Sequence, residues 1–253
     1  KRKEGLSIIE LDSNEKNYGK IISSIFLSSD LVTHHLFYNQ DLTKLYVTSL
    51  EKEVLHFIDM RINELELIPI PTPGCKVQEN IIFSNDNTTW WLTCMGSERI
   101  LEGEMLTDKV KRTILIPGSF PHGIALDERI DRILVASCVS PDMSSAGRTI
   151  EVVRASTGEH LRSIPITRGS ANAPVEVLFA PNSVPPSAYA TTMMDSTLWF
   201  LKWNYGSKTF LAKEVFDFKK LSNSIMPLEI YFDKNLEKSF ITTADPGNLH
   251  VLD

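Results

Sequence analysis

Six polar side chains occupy equivalent places in five similar segments of this chain, and they are its best candidates for chemistry. The segments start at Thr33, Gln78, Pro121, Pro174 and Pro227. Aligning them superimposes two sets of residues: His34, Glu79 and His122 at one position, and His35, Glu176 and Glu229 at the next. Imidazole and carboxylate groups that converge on one point can bind copper or zinc. We therefore predict a metal site made by His34, His35, His122 and Glu79.

The spacing between the segments indicates the fold that would bring these residues together. Successive segments lie 43 to 53 residues apart, which is typical of four-stranded propeller blades. Thr48, Thr93, Ala136 and Thr242 follow at a constant spacing of fourteen residues, each within a second apolar strand. The sequence predicts an all-β fold, a β-propeller of about five to seven four-stranded antiparallel blades. Equivalent positions at the starts of the inner strands would then line the central channel.

The channel residues also have a simpler interpretation, in which they are polar because the channel contains water. Adjacent residues of a regular strand point to opposite faces, so His34 and His35 can share a metal only where the strand is irregular. Pro-His-Gly, as at His122, is also a common turn before a strand in propellers that bind nothing. The channel-lining Glu176 and Glu229 can bind a cation or accept hydrogen bonds from backbone N–H groups of neighbouring blades. Both interpretations stay open at this stage.

Composition excludes some classes of function. The chain has 253 residues, of which 42% are hydrophobic and 23% charged, as expected for a soluble globular protein. Its net charge of −6, with scattered Lys and Arg, argues against a nucleic-acid partner. No apolar stretch approaches the roughly 20 residues needed to span a bilayer, and no signal peptide is recognisable. The compartment is undetermined.

The remaining cysteines and histidines are expected to have structural or surface roles. Cys75, Cys94 and Cys138 are widely spaced, so we predict no disulfide framework and no Cys-x-x-Cys site. Cys75 is expected to be a buried structural cysteine rather than a reactive thiol. The other three histidines are predicted to lie on solvated surface, away from the channel axis: His56, His160 and His250.

Both ends of the chain fall inside blades of a single predicted propeller domain that covers residues 1–253. Residues 6–12 match a third strand and residues 20–25 an outer strand, while the sequence stops after another third strand. Either residues 20–25 complete the blade of residues 228–253, or further blades are missing from this sequence. We expect missing blades, or an edge that another chain covers, because open sheet edges invite pairing.

Four segments in order along the chain resemble the selenium-binding protein and methanethiol oxidase family of β-propellers. They are Glu4-Gly5-Leu6 with Tyr18-Gly19-Lys20, His34-His35 with Phe37-Tyr38-Asn39, Pro174-Val175-Glu176 with Ser196-Thr197-Leu198-Trp199, and Pro227-Leu228-Glu229-Ile230. The resemblance implies a seven-bladed propeller with a copper site of channel histidines. The His34-His35 pair matches the histidine pair of the family.

The chain departs from the family pattern at several positions, so the resemblance leaves the function open. Val32 stands where the family tends to have an acidic residue, and the chain reads Cys75-Lys76-Val77-Gln78-Glu79 where the family has a further histidine after a cysteine. The family's Cys-x-x-Cys is absent, and its last histidine lies beyond this sequence. One hypothesis is a metal-dependent oxidoreductase that acts on small sulfur compounds. The other is a non-catalytic scaffold that binds a protein partner on a propeller face or at an open edge.

Overall fold

The computed structural model describes residues 4–28, 30–62, 65–169, 172–233 and 238–253. This part of the chain is almost entirely β-structure, with one short helix, α1 (Phe218–Ser222), and a 3₁₀ turn at Met95–Ser97. All strand pairs within the sheets are antiparallel. The prediction of an all-β propeller with four-stranded antiparallel blades is confirmed. None of the helices in the described ranges is long and apolar enough to cross a membrane.

Four blades are complete, and each runs through its strands in chain order. Blade 1 contains β3 (Thr33–Tyr38), β4 (Lys44–Ser49), β5 (Val54–Asp59) and β6 (Ile68–Pro71). Blade 2 contains β7 (Gln78–Phe83), β8 (Thr89–Cys94), β9 (Arg99–Glu104) and β10 (Lys109–Leu115). Blade 3 contains β11 (Pro121–Asp127), β12 (Arg132–Ser137), β13 (Thr149–Arg154) and β14 (His160–Pro165). Blade 4 contains β15 (Pro174–Phe179), β16 (Ser187–Thr192), β17 (Thr197–Asn204) and β18 (Thr209–Asp217).

Two smaller sheets flank the complete blades. Blade 5 has three strands, β19 (Ile225–Phe232), β20 (Ser239–Asp245) and β21 (Asn248–Leu252). The N-terminal sheet has two, β1 (Glu4–Ile9) and β2 (Ile21–Leu27). In the described residues β2 pairs with β1 and forms no ladder with the strands of blade 5, so closure of the last blade by residues 20–25 stays an untested alternative.

The inner strand of every blade carries the same irregularity at its start. Thr33 pairs with Ser49 and Leu36 with Val47, so three steps on the inner strand match two on its neighbour. The same shift occurs in blades 2 to 5, directly after Gln78, Pro121, Pro174 and Pro227. This is a β-bulge, which bends a strand and redirects its side chains. The five segments aligned in the sequence are therefore structurally equivalent.

Packing between blades forms the core. Central strands such as β8 and β12 are buried on both faces, which explains their β-branched and aromatic residues. Trp90 is fully buried and packs over Gly103, where an added Cβ would lie 1.9 Å from the indole ring. Burial of each such large side chain contributes roughly 1.5–3 kcal/mol. The core thus holds the blades at fixed positions around the channel.

Candidate metal centre

Three imidazoles surround one carboxylate oxygen at the starts of the inner strands. Glu79 Oε2 lies 3.0 Å from His34 Nε2, 3.5 Å from His122 Nε2 and 3.9 Å from His35 Nε2. These residues come from three successive blades. The structure therefore brings His34, His35 and Glu79 within ligand distance of one another and places His122 beside Glu79. Metal binding by these four residues stays a prediction.

The bulge of β3 explains how two adjacent histidines reach the same point. His34 and His35 are the two residues inside the register shift, where strand alternation is broken. Their ring centroids lie 3.9 Å apart, and both Nε2 atoms face Glu79. His34, His35 and Glu79 each offer one ligand atom within 4.8 Å of the others. This meets the condition that the strand must be irregular for both histidines to share a site.

Threonine side chains from the second strands hold the bulges in place. The Thr48 and Thr93 hydroxyl oxygens accept hydrogen bonds from the backbone N–H groups of His35 and Asn80, at 3.0 and 2.9 Å. The Thr93 hydroxyl also donates to the carbonyl oxygen of His122 in the next blade, at 2.7 Å. The threonines that the sequence placed at a constant spacing thus connect the bulges that carry the candidate ligands.

Burial and neighbouring charges give the three imidazoles different proton affinities. Contact with the Glu79 carboxylate raises the pKa of His34. Burial, with a smaller contribution from His34, lowers the pKa of His35 to about 4. Burial also lowers the pKa of His122. At neutral pH, His35 and His122 are therefore neutral imidazoles, the form that binds metals.

One oxygen of the Glu79 carboxylate, Oε2, is buried without a hydrogen bond of good geometry to any described residue. Its side chain is buried, and among the residues that the structure describes no donor is aligned with Oε2. His34 Nε2 is the nearest of the three ring nitrogens, at 3.0 Å, and its interaction with the carboxylate is what raises the pKa of His34. Ligand atoms of a tetrahedral site with bonds of 2.0–2.1 Å lie about 3.3 Å apart. The separations around Oε2 bracket this value, but only His34, His35 and Glu79 among the described residues have ligand atoms that all lie within 4.8 Å of one another, and His122 lies outside this group. The donor types suit a transition-metal ion.

A second layer of the channel contains a buried carboxyl group, that of Glu176, which is hydrogen-bonded in part by a residue of another blade. Glu176 accepts hydrogen bonds from the backbone N–H of Val177, at 3.0 Å, and from Asn80 Nδ2, at 3.1 Å. Asn80 is in blade 2 and Glu176 in blade 4, and the contact crosses the position of Gly123 in blade 3. The donors to Glu176 are thus a backbone N–H of its own blade and a side-chain amide of blade 2. The sequence could have indicated Asn80 as a channel residue, because the repeat aligns it with His35 and Glu176.

The same layer has an unusual electrostatic environment. Burial, with a further contribution from Glu229, raises the pKa of Glu176 well above its usual range. Burial also raises the pKa of Glu229, while the nearby His34 opposes this shift. The layer next to the imidazoles therefore holds carboxyl groups that favour the protonated form. Glu176 and Glu229 do not belong to the group of potential ligands at His34, His35 and Glu79.

A disulfide bond lies beside the candidate site, which corrects the prediction that the cysteines form none. Cys75 and Cys94 are bonded and fully buried. Cys94 ends β8 and pairs with Gln78, the residue before Glu79. The two cysteines are 19 positions apart in the sequence. Cys75 lies in the connection from blade 1 to blade 2, and the course of this connection places it next to the end of β8. No spacing signal in the sequence indicates this approach.

The other histidines are partly buried rather than fully solvated, which corrects a second expectation. His160 Nε2 lies 2.7 Å from the buried Glu151 carboxylate, and the His250 ring packs against Phe218. Burial lowers the pKa of His56. All three lie on third or outer strands, and within the described ranges they form no group of three or more potential ligands.

Comparison with known proteins shows the fold alone. No family model and no curated protein sequence matches the chain. Hydrazine synthase of Kuenenia stuttgartiensis has a TM-score of 0.75 and 12% identity, over 93% of this chain and 68% of its own. A hypothetical selenium-binding protein of Sulfolobus tokodaii also has a TM-score of 0.75 and 12% identity, over 94% and 65%. A streptogramin B lyase has a TM-score of 0.65 and 14% identity, over 88% and 66%.

This chain thus spans about two thirds of the length of these structures. The similarity to the selenium-binding protein supports the resemblance seen in the sequence at the level of the propeller fold.

Proposed function

We propose that this propeller binds a copper or zinc ion in its central channel through His34, His35 and Glu79, with His122 as a further ligand. The observation that carries the proposal is the buried Glu79 Oε2, which has three imidazole nitrogens within 3.9 Å and no aligned donor in the described part of the chain. A buried carboxylate oxygen without a hydrogen bond is costly. A cation at this point would satisfy it.

The donor types favour copper or zinc over calcium or magnesium. Imidazole ligands suit zinc and copper, whereas calcium and magnesium require mainly oxygen ligands. Histidine nitrogens and glutamate oxygens are both established zinc ligands in proteins.

Metal titration of the intact protein tests the proposal. Calorimetry with Cu²⁺ and Zn²⁺, together with elemental analysis, should give about one ion per chain. The double variant His34→Ala/His35→Ala should lose it, while His56→Ala, which removes a histidine outside the channel, should retain it. The same stoichiometry in the double variant would refute the assignment of the ligands.

We further propose that the metal-loaded protein acts on small sulfur compounds. This part of the proposal rests on the family resemblance. Bound copper would supply redox chemistry and Lewis acidity. Around it, this chain would contribute neutral imidazoles and the Glu79 carboxylate. Consumption of methanethiol and dioxygen by the copper-loaded protein, compared with His34→Ala/His35→Ala, tests this part separately from binding.

A scaffold function is the second candidate, favoured by the N-terminal sheet. Ile9, Leu11, Ile21 and Ile22 expose between 49% and 76% of their surface there. Grouped apolar residues of this kind mark protein-binding surfaces. If neither Cu²⁺ nor Zn²⁺ binds in the titration, the scaffold remains and the metal proposal is wrong.

A further inference from the structure

We propose that four methionines form a second metal site, selective for monovalent copper, on the face of the propeller where the inner strands start. Met143, Met193, Met194 and Met226 line a single cavity of about 530 Å³. They are four of the seven methionines in the chain. Three segments that are far apart in sequence therefore each contribute methionine, an infrequent residue in this chain, to one cavity.

The topology shows on which face this methionine pocket lies. Met143 follows β12, whose last residue, Ser137, pairs with Pro121 at the start of β11. Met193 and Met194 follow β16, which ends beside the start of β15. Met226 lies at the start of β19 itself. The pocket is thus at the same ends of the blades as His122.

The exposure of these side chains is unusual for methionine. Met143 is 60% exposed, Met194 45% and Met226 36%, whereas methionine is normally among the most buried residues. Met193 is partly buried and packs against the cluster that contains Cys138 and Val175. Its backbone N–H donates to the Ala173 carbonyl oxygen at 2.9 Å, which fixes the turn. The pocket therefore presents solvent-accessible thioether groups, and a hydrogen bond fixes the backbone at Met193.

The chemistry of the lining selects the ion. Thioether sulfur is a soft ligand that favours monovalent copper, whereas hard divalent cations need several oxygen ligands. Asp195 and Lys219 also line the pocket, so its formal charges cancel. Asp195 Oδ2 is a buried oxygen with no hydrogen-bond partner in the described part of the chain. One carboxylate is too few for calcium or magnesium but can balance a single positive charge beside the sulfurs.

This site is independent of the channel proposal, because the two share no residue. The described residues contain one group of three or more His, Cys, Asp or Glu within ligand distance, and it is the one at His34. The methionine pocket lies outside this group, so a soft ion could bind there whether or not the channel binds a metal.

Silver(I), which has the soft ligand preference of monovalent copper and does not change oxidation state, provides the test. It is added to the His34→Ala/His35→Ala/Cys138→Ala variant, labelled with ¹³C at the methionine methyl groups. This background removes the channel imidazoles and the free thiol. Silver(I) should shift the methyl signals of Met143, Met193, Met194 and Met226 and leave those of Met60 and Met105 in place. Unmoved signals from all four pocket residues would overturn the proposal.

Affinity measurements in the otherwise unmodified chain give a second, separate test. Met143→Leu/Met194→Leu/Met226→Leu nearly conserves side-chain volume and should weaken silver(I) binding at least tenfold, while the control Met60→Leu should not. X-ray absorption of the copper(I)-loaded protein should detect sulfur neighbours. Equal affinity of the triple variant, or nitrogen and oxygen neighbours alone, would show that the methionines are not ligands. They would then be an adaptable docking surface for proteins, as methionine-rich patches often are.

Discussion

Asn80 Nδ2 donates a hydrogen bond to Glu176 Oε2 at 3.1 Å, and this contact joins blade 2 to blade 4 across the channel. It is possible because the intervening blade has Gly123 at the equivalent position. A Cβ there would lie 2.5 Å from the Val175 carbonyl oxygen and 2.8 Å from Glu176 Oε1. The absence of one side chain thus makes room for a buried carboxyl group.

We first predict that Gly123→Ala destabilises the protein. The new methyl group would collide with backbone atoms of blade 4, and overpacking of this kind typically costs 1–3 kcal/mol. Denaturant unfolding monitored by tryptophan fluorescence measures the loss. Gly169→Ala is the matched control, because among the described residues, chain neighbours aside, no atom lies within 4 Å of the added Cβ there. Equal stabilities of the two variants would contradict the close approach.

The second prediction concerns Glu176→Gln and the dependence of stability on pH. The raised pKa of Glu176 means that the folded state holds this proton more tightly than the unfolded state does. Its contribution to stability is therefore complete below the unfolded pKa and is lost as the pH rises towards the folded pKa. Glutamine removes the titration, and the Asn80 amide can flip to accept a hydrogen bond from it.

The variant should consequently be more stable than the wild type at pH 7, by on the order of 1 kcal/mol or more, and similar to it near pH 4. Urea unfolding at both pH values measures the difference. Glu66→Gln, at an exposed position, should change neither value. A constant difference between wild type and Glu176→Gln across this range would disprove the proposed titration.

Our third prediction is that the histidine pair of the metal-free protein titrates at two widely separated pH values. Contact with Glu79 raises the pKa of His34, while burial lowers that of His35 to about 4. Histidine NMR signals followed from about pH 3 to pH 8 would resolve the two. Glu79→Gln should lower the pKa of His34 because it removes the negative charge. If the pKa of His34 in Glu79→Gln stayed at the wild-type value, Glu79 would not be the cause of the raised pKa.

The fourth prediction is that reduction of the Cys75–Cys94 disulfide lowers the free energy of unfolding by about 3 kcal/mol. This is the chain-entropy value for a closed loop of roughly 20 residues, and the sequence separation here is 19. Thermal unfolding with and without a phosphine reductant measures it. Cys138→Ala should show the same sensitivity to the reductant as the wild type, since Cys138 is a free cysteine. Identical melting temperatures with and without reductant would argue against the bond.

The repeat pattern explains why much of the fold and the candidate site could be predicted from the sequence. A blade is a local unit, so its strands and turns leave regular signals in the chain, and equivalent residues of successive blades must face the same channel. Alignment alone therefore placed His34, Glu79 and His122 at one position. The constant spacing to Thr48 and Thr93 likewise marked the hydroxyls that hold the bulges.

Only the tertiary structure decided how side chains from different blades meet. The bulge turns both His34 and His35 towards Glu79. The residue types in the sequence do not indicate the direction in which these side chains point. The contact between Asn80 and Glu176, the disulfide beside Glu79 and the methionine pocket all join segments whose distance depends on how blades pack. Local pattern determines which residues each blade presents. The approach of one blade to another, set by the packing of their buried faces, determines which of those residues can act together.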